Sequence, residues 1–200
     1  MGYVVGERRF PTMSQPNPWL PAPAPAPAAP APAPAVVWSP GTVTGVHASG
    51  RRLPVREVEQ AGLWVTGAHG GAGATTLARL LGAGDCGASW PHLSGGMVQV
   101  LVAARTNSAG IEAARDAAVG WAAGQAPGAR LLAVVWMADA PGRLPRPLRE
   151  ALAMASGAYP ASVMVPWTPR WRLAPAWSQP IPREISRALH AVPGYRKEDQ

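Results

Sequence analysis

Apolar positions along the chain fall into four short runs separated by stretches of helical spacing. Leu63, Trp64 and Val65 open the first run. Met97 to Ala104 is the second, Leu131 to Ala138 the third and Ala161 to Val165 the fourth. Runs this short, rich in Val and bounded by Gly, Pro or Asp, predict strands buried on both faces, as in a parallel sheet. Between them the spacing predicts helices. A Leu-rich helix covers about 74–82. Ser108 is placed to cap a second, with Ile111, Ala114, Ala118 and Trp121 on one face, and Gly124 to Gly128 ends it. Pro145 and Pro147 suit the start of a third that turns Leu148, Leu152 and Ala155 inward. A last helix around Arg183 to Ala191 would bury Ile185 and Leu189. The stretch GAGDCGASWPHLSGG gives no readable element. Strands alternating with helices imply right-handed βαβ units, and so a small α/β three-layer sandwich with a mainly parallel sheet.

Composition sets the limits of that domain. The 24 prolines and 22 glycines are unevenly spread, which argues for a disordered segment plus a domain rather than one irregular fold. Residues 1–57 read as a disordered N-terminal region. Within it, 21–35 is an almost strict Pro-Ala alternation that can form neither helix nor packed sheet and predicts an extended polyproline-II spacer. Its plain role is a linker. An SH3-like ligand role lacks the flanking basic residues that would give specificity. The folded domain spans 58–192, and 193–200 is a polar tail.

Charge and cysteine narrow the classes. Net charge is +7, nearly all of it arginine, with Lys197 the one lysine. That balance permits DNA or an acidic protein as partner, but no Lys/Arg block has the density of a nucleic-acid arm. A single Cys86 excludes an internal disulfide framework and suits a reducing compartment. Glu7, Arg8 and Arg9 interrupt any secretory apolar core after Met1. The longest apolar run, Leu131 to Ala138, falls far short of the roughly 18 residues needed to span a bilayer. The expectation is a soluble, cytoplasmic protein with no membrane partner. No His/Cys/Asp/Glu cluster has metal-ligand spacing, and neither a Ser-His-Asp set nor a carboxylate pair stands out.

The chemistry concentrates in Leu63 to Gly82, LWVTGAHGGAGATTLARLLG. Strand, glycine-rich loop and helix in that order are the context of a phosphate-binding loop. Gly70, Gly71 and Gly73 lack Cβ atoms, so their N–H groups can turn around an anion. Thr75 and Thr76 fall at the helix start, where a hydroxyl can reach Mg²⁺; Thr75 is the candidate metal contact, its other role being a helix cap. The residue before Thr75 is Ala74.

AHGGAGATT resembles the deviant Walker A loop of the ParA/MinD class of P-loop ATPases, GKGGxGK[ST]T. The match covers Gly70, Gly71, Gly73, Thr75 and Thr76, with Ala72 at the variable position. Both family lysines are replaced, the signature one by His69 and the phosphate-contacting one by Ala74, and the family's first glycine is Ala68. The resemblance implies a reduced P-loop fold and ATP, or another nucleotide, with Mg²⁺ as cofactor. It also places Pro166 and Trp167, after the last strand, beside the nucleotide base. Only about fourteen residues separate the loop helix from the second apolar run, short for the class's switch loop and Walker B strand. The signature lysine reaches across the family's nucleotide-bound dimer, so with His69 there nucleotide-driven dimerisation is not carried over. The stretch also resembles an uncharacterised family of high-GC bacterial proteins with a GGAGxxTLA loop and a later ADAPGRLPxPL segment.

Ligands of open parallel sheets sit at the carboxyl ends of the strands, which here are 67–76, 105–107, 139–142 and 166–172. Arg105 is placed to replace the lost lysine as a phosphate counter-charge, or to serve as a packing arginine. Asp139 ends an apolar strand like a Mg²⁺-holding Walker B acid, or caps the Ala-Pro-Gly turn that follows. His69 is placed to supply partial positive charge to a bound nucleotide at low pH, or reads as a neutral loop histidine. Trp167, Arg170 and Trp171 form the densest aromatic-basic cluster, suited to a pocket wall, to packing or to a partner surface. The reading is a degenerate ParA/MinD-like protein that binds nucleotide weakly or not at all and regulates or adapts through protein partners. The alternatives are an active ATPase of plasmid-partition type, with Arg105 and Asp139 as replacement machinery, and a non-specific DNA-binding accessory.

Overall fold

Val100, Val102 and Ala104 turn to one face of the central strand, Leu101 and Ala103 to the other, and all five are fully buried. A strand with two apolar faces must be covered on both sides. The computed structural model describes residue 50 and residues 52–193. In chain order these form β1 (Val55–Glu57), β2 (Leu63–Gly67), α1 (Ala74–Leu81), β3 (Gly84–Asp85), β4 (Trp90–His92) and β5 (Val98–Arg105). Then follow α2 (Ser108–Ala122), β6 (Ala129–Met137), α3 (Arg146–Ser156), β7 (Ser162–Val165) and α4 (Arg183–His190). Two 3-10 turns, Pro169–Arg172 and Ala176–Ser178, lie between β7 and α4.

The main sheet runs β3-β2-β5-β6-β7 with every pair parallel. Ile111 and Ala114 of α2, with Ala155 of α3, pack on the Val100 face. Leu77 of α1, with Ile185 and Leu189 of α4, packs on the Leu101 face. This is the three-layer α/β sandwich that the alternation of runs predicts. A register shift between Val100 and Leu101 on β5 places Leu131 and Ala133 of β6 opposite them. Leu131 and Val134 consequently reach the same face. Polar side chains in the interior are satisfied. Tyr159 donates its hydroxyl to the Ala114 carbonyl at 2.6 Å, Thr66 donates to the Ser89 carbonyl at 2.9 Å, and no buried side-chain N or O among the described residues lacks a partner.

Three local expectations are corrected. The sheet has one strand more than the apolar runs predict, because β3 is too short to carry a pattern. The unread stretch also holds β4, which pairs with β1 in a separate two-stranded sheet. β1 itself lies in the segment assigned to the N-terminal arm; Leu53 and Val58 on either side of it are buried in the core, so the domain begins before 58. The cap of α2 is Asn107 rather than Ser108, since Asn107 Oδ1 accepts the Gly110 N–H at 2.8 Å. The rest of the arm, with its Pro-Ala spacer at 21–35, and tail residues 194–200 lie outside the described residues.

β3 decides where the site falls. From β2, α1 leads to β3 on one side, and the chain then returns past β2 to β5 on the other. The winding therefore reverses between β2 and β5. In open parallel sheets the crevice beyond the carboxyl ends at such a reversal is where ligands bind.

Candidate functional site

The chain leaves β2 at Gly67, crosses the carboxyl edge of the sheet as the glycine loop 68–73, and enters α1 at Ala74. Gly71 (φ 76°) and Gly73 (φ 96°) have left-handed backbone, which a side chain would strain. Gly73 is restricted in space too, since a Cβ there would stand 3.1 Å from Met137 Cγ at the end of β6. Gly73 is the N-cap of α1, and no side chain caps that end. The first N–H groups of α1 therefore have no intrahelical partner, and the positive end of the helix dipole lies at the loop.

Arg105, the last residue of β5, ties this loop to its neighbours. Its Nε donates to the Gly71 carbonyl at 3.1 Å and its Nη1 to the Ala138 carbonyl at 3.3 Å. Its backbone N–H donates to His69 Nε2 at 3.3 Å, while His69 Nδ1 lies 2.8 Å from the Gly70 carbonyl. These partners assign the ring proton to Nδ1 and leave Nε2 as an acceptor, which is a neutral imidazole. Next along, Thr106 is only 1% exposed. Its hydroxyl donates to Asp139 Oδ1 at 2.5 Å and accepts the Asp139 backbone N–H at 3.2 Å.

Loop, strand ends and the segment after β7 together line a cleft of about 1080 Å³. The sequence candidates His69, Gly70, Gly71, Thr76, Arg105, Asp139, Pro166 and Trp167 all lie on its wall. Four others do not. Ala72 and Ala74, the first residue of α1, are buried in the core, and Gly73 sits on Met137. Thr75 is exposed and outside the lining, so Thr76 is the threonine that α1 turns to the cleft. Neither expected capping role is seen: α1 has no side-chain cap, and Asp139 engages Thr106 rather than the Ala-Pro-Gly turn.

Several contributors are not legible in the chain order. Thr106 lies inside the stretch 105–107 at a strand end, but its value depends on Asp139 thirty-three positions away. Trp177 joins the wall from the second 3-10 turn, and Arg172, the end of the expected stretch 166–172, from the first. The Arg172 guanidinium lies 5.8 Å from the Trp167 ring centroid, and that of Arg79, from α1, lies 4.1 Å over Trp177. No group of three or more His, Cys, Asp or Glu among the described residues could hold a metal ion. Cys86 is buried, and burial pushes its thiol above the usual range, with Arg56 opposing and Asp85 adding.

Residues 61–189, from just before β2 to the end of α4, match the model of a family of unknown function, DUF6668. The chain belongs to that family. The match takes in the glycine loop, Arg105, Thr106, Asp139 and the segment after β7, but begins after β1. No curated protein and no solved structure matches the chain. No helix among the described residues is long and apolar enough to cross a membrane.

Proposed function

We propose that this domain is a non-hydrolysing relative of the ParA/MinD class of P-loop ATPases. It takes a phosphate-bearing ligand, a nucleotide with Mg²⁺, at low affinity and acts through a protein partner. One observation carries the reading: a left-handed glycine loop, leading into an uncapped helix, lies beside Arg105 where the sheet reverses its winding. Backbone N–H groups and a helix dipole suit an anion, and Arg105 keeps three of its five guanidinium N–H groups after its two bonds to carbonyls. For Mg²⁺, the wall offers among its hard oxygen donors the Thr76 hydroxyl and the Asp139 carboxylate, one of whose oxygens Thr106 already engages.

Turnover has less support. Ala74, where the class carries its phosphate-contacting lysine, packs in the apolar core with Leu77 and Met137. His69, neutral in its hydrogen bonding, stands for the signature lysine. Between α1 and β5 there are two short strands in place of a helix-plus-strand unit. Phosphoryl transfer rests on positioning and charge neutralisation, so binding without hydrolysis is the expected chemistry.

Thermal unfolding of the full chain with ATP, ADP and GTP, with and without Mg²⁺, tests this. A ligand at a hundred times its Kd adds about 2.7 kcal/mol, roughly 5–10 °C for a domain of this size. The expected result is a shift that needs Mg²⁺, is lost in Arg105→Ala, and comes without phosphate release. No shift at millimolar ligand would overturn the cleft assignment. Steady phosphate release would instead favour an active ATPase built on Arg105 and Asp139.

A further inference from the structure

We infer that the segment between β7 and α4 is a docking surface for an acidic polypeptide segment carrying apolar side chains. This deepens the reading above only in its claim of a protein partner, and it does not depend on the cleft being filled.

The segment is irregular but held in place. Gln179 Nε2 lies within hydrogen-bond reach of the carbonyls of Arg170 (3.1 Å), Ala174 (2.6 Å) and Pro175 (3.4 Å). Ala176 is buried in the core, and the stack of Arg79 on Trp177 fastens the segment to α1. From this fixed backbone Leu173 (88% exposed), Trp177 (42%) and Ile181 (41%) stand in solvent. Single exposed apolar residues are ordinary, but three within nine positions of a well-held segment form a patch of the kind that marks an interface.

Charge selects the partner. On this segment and on α1 and α4, the helices of its layer, exposed Arg79, Arg170, Arg172, Arg183 and Arg187 stand against one exposed carboxylate, Glu184, a net of 5 − 1 = +4. On the opposite layer, α2 and α3 carry Arg115, Arg146 and Arg149 against Glu112, Asp116 and Glu150, a net of 3 − 3 = 0. The ion pair found among the described residues, Arg146–Glu150, lies in that neutral layer, so no described carboxylate pairs with the arginines of the patch. Arginine forks suit carboxylates, and Trp with Arg is the usual anchor pairing at protein interfaces. A nucleic acid fits less well. Leu173 and Ile181 offer bases no stacking face, and the rings of Trp167 and Trp177 already carry guanidinium groups.

The test is fluorescence anisotropy on the full chain with labelled short peptides alternating Glu-Leu, Glu-Ser or Lys-Leu, and with single-stranded DNA of similar length. Glu-Leu should bind tightest and weaken with salt. Arg170→Glu and Ile181→Ser, both outside the cleft lining, should each weaken it about tenfold or more. Arg149→Glu in the neutral layer should leave it unchanged, and equal melting temperatures check folding. Equal affinity for Glu-Ser, tighter binding of DNA, or unchanged affinity in Ile181→Ser would overturn the proposal. Peptide binding without a nucleotide-dependent thermal shift would sink the cleft reading and leave this surface standing; the reverse result would do the opposite.

Discussion

Thr106 and Asp139 satisfy each other: the threonine hydroxyl donates to the carboxylate and accepts the aspartate's own backbone N–H. The pair clamps the carboxyl ends of β5 and β6 together at the cleft. Thr106→Val keeps the shape and removes both bonds, leaving a part-buried carboxylate and N–H short of a partner. The expected loss is about 1–3 kcal/mol, a fall of several degrees in Tm, with Thr106→Ser recovering most of it. An unchanged Tm in Thr106→Val would show that the clamp carries no stability.

Arg105 holds the glycine loop through its fork, not through charge alone. Arg105→Lys retains the charge but cannot reach the Gly71 and Ala138 carbonyls in the same planar geometry. Amide exchange at 69–73 should therefore speed up in Arg105→Lys while α2 and α3 stay as protected as before. Equal protection of the loop in both proteins would contradict the tether.

Gly110 offers a test with an unusual sign. Replacing a helical glycine with alanine ordinarily stabilises by up to about 1 kcal/mol. Here an added Cβ would stand 2.3 Å from the Arg105 carbonyl oxygen, which the first turn of α2 overlies. Gly110→Ala should instead destabilise, by about 2 kcal/mol or more, and should disturb the His69–Arg105 contact next to it. Chemical denaturation gives the sign directly.

Alkaline stability should fall. Burial raises the Tyr159 phenol above its usual range, so the unfolded chain loses that proton first, from about pH 10 upward. The stability Tyr159 contributes is thus fully present below that pH and is lost as pH rises through it. Cys86, also raised mainly by burial, acts with the same sign at lower pH. In a Cys86→Ala background, Tm should drop between about pH 10 and 12, and Tyr159→Phe should drop less over that window. Equal slopes would mean that Tyr159 is not the group responsible.

Most of the scaffold is legible in the sequence because burial on both faces leaves apolar runs and the helices keep their spacing. β2, β5, β6, β7 and α1 through α4 all announce themselves in this way. β3 leaves no pattern in two residues, and Pro91 in β4 argues against a strand when read locally. Yet β3 is what reverses the sheet's winding and fixes the cleft. The glycine loop and Arg105 are legible as chemistry. The choice of Thr76 over Thr75 depends on the rotation of α1, and the Thr106–Asp139 clamp and the Arg79–Trp177 stack join residues far apart in sequence, which no local pattern encodes.

The most direct test of the proposed function is an amide NMR titration of the full chain with Mg²⁺-ATP. Shifts are expected in the backbone signals of Gly70 and Gly71 and in the Trp167 indole N–H, absent in Arg105→Ala. Signals that stay fixed at millimolar nucleotide, or that move only in α2 and α3, would contradict it.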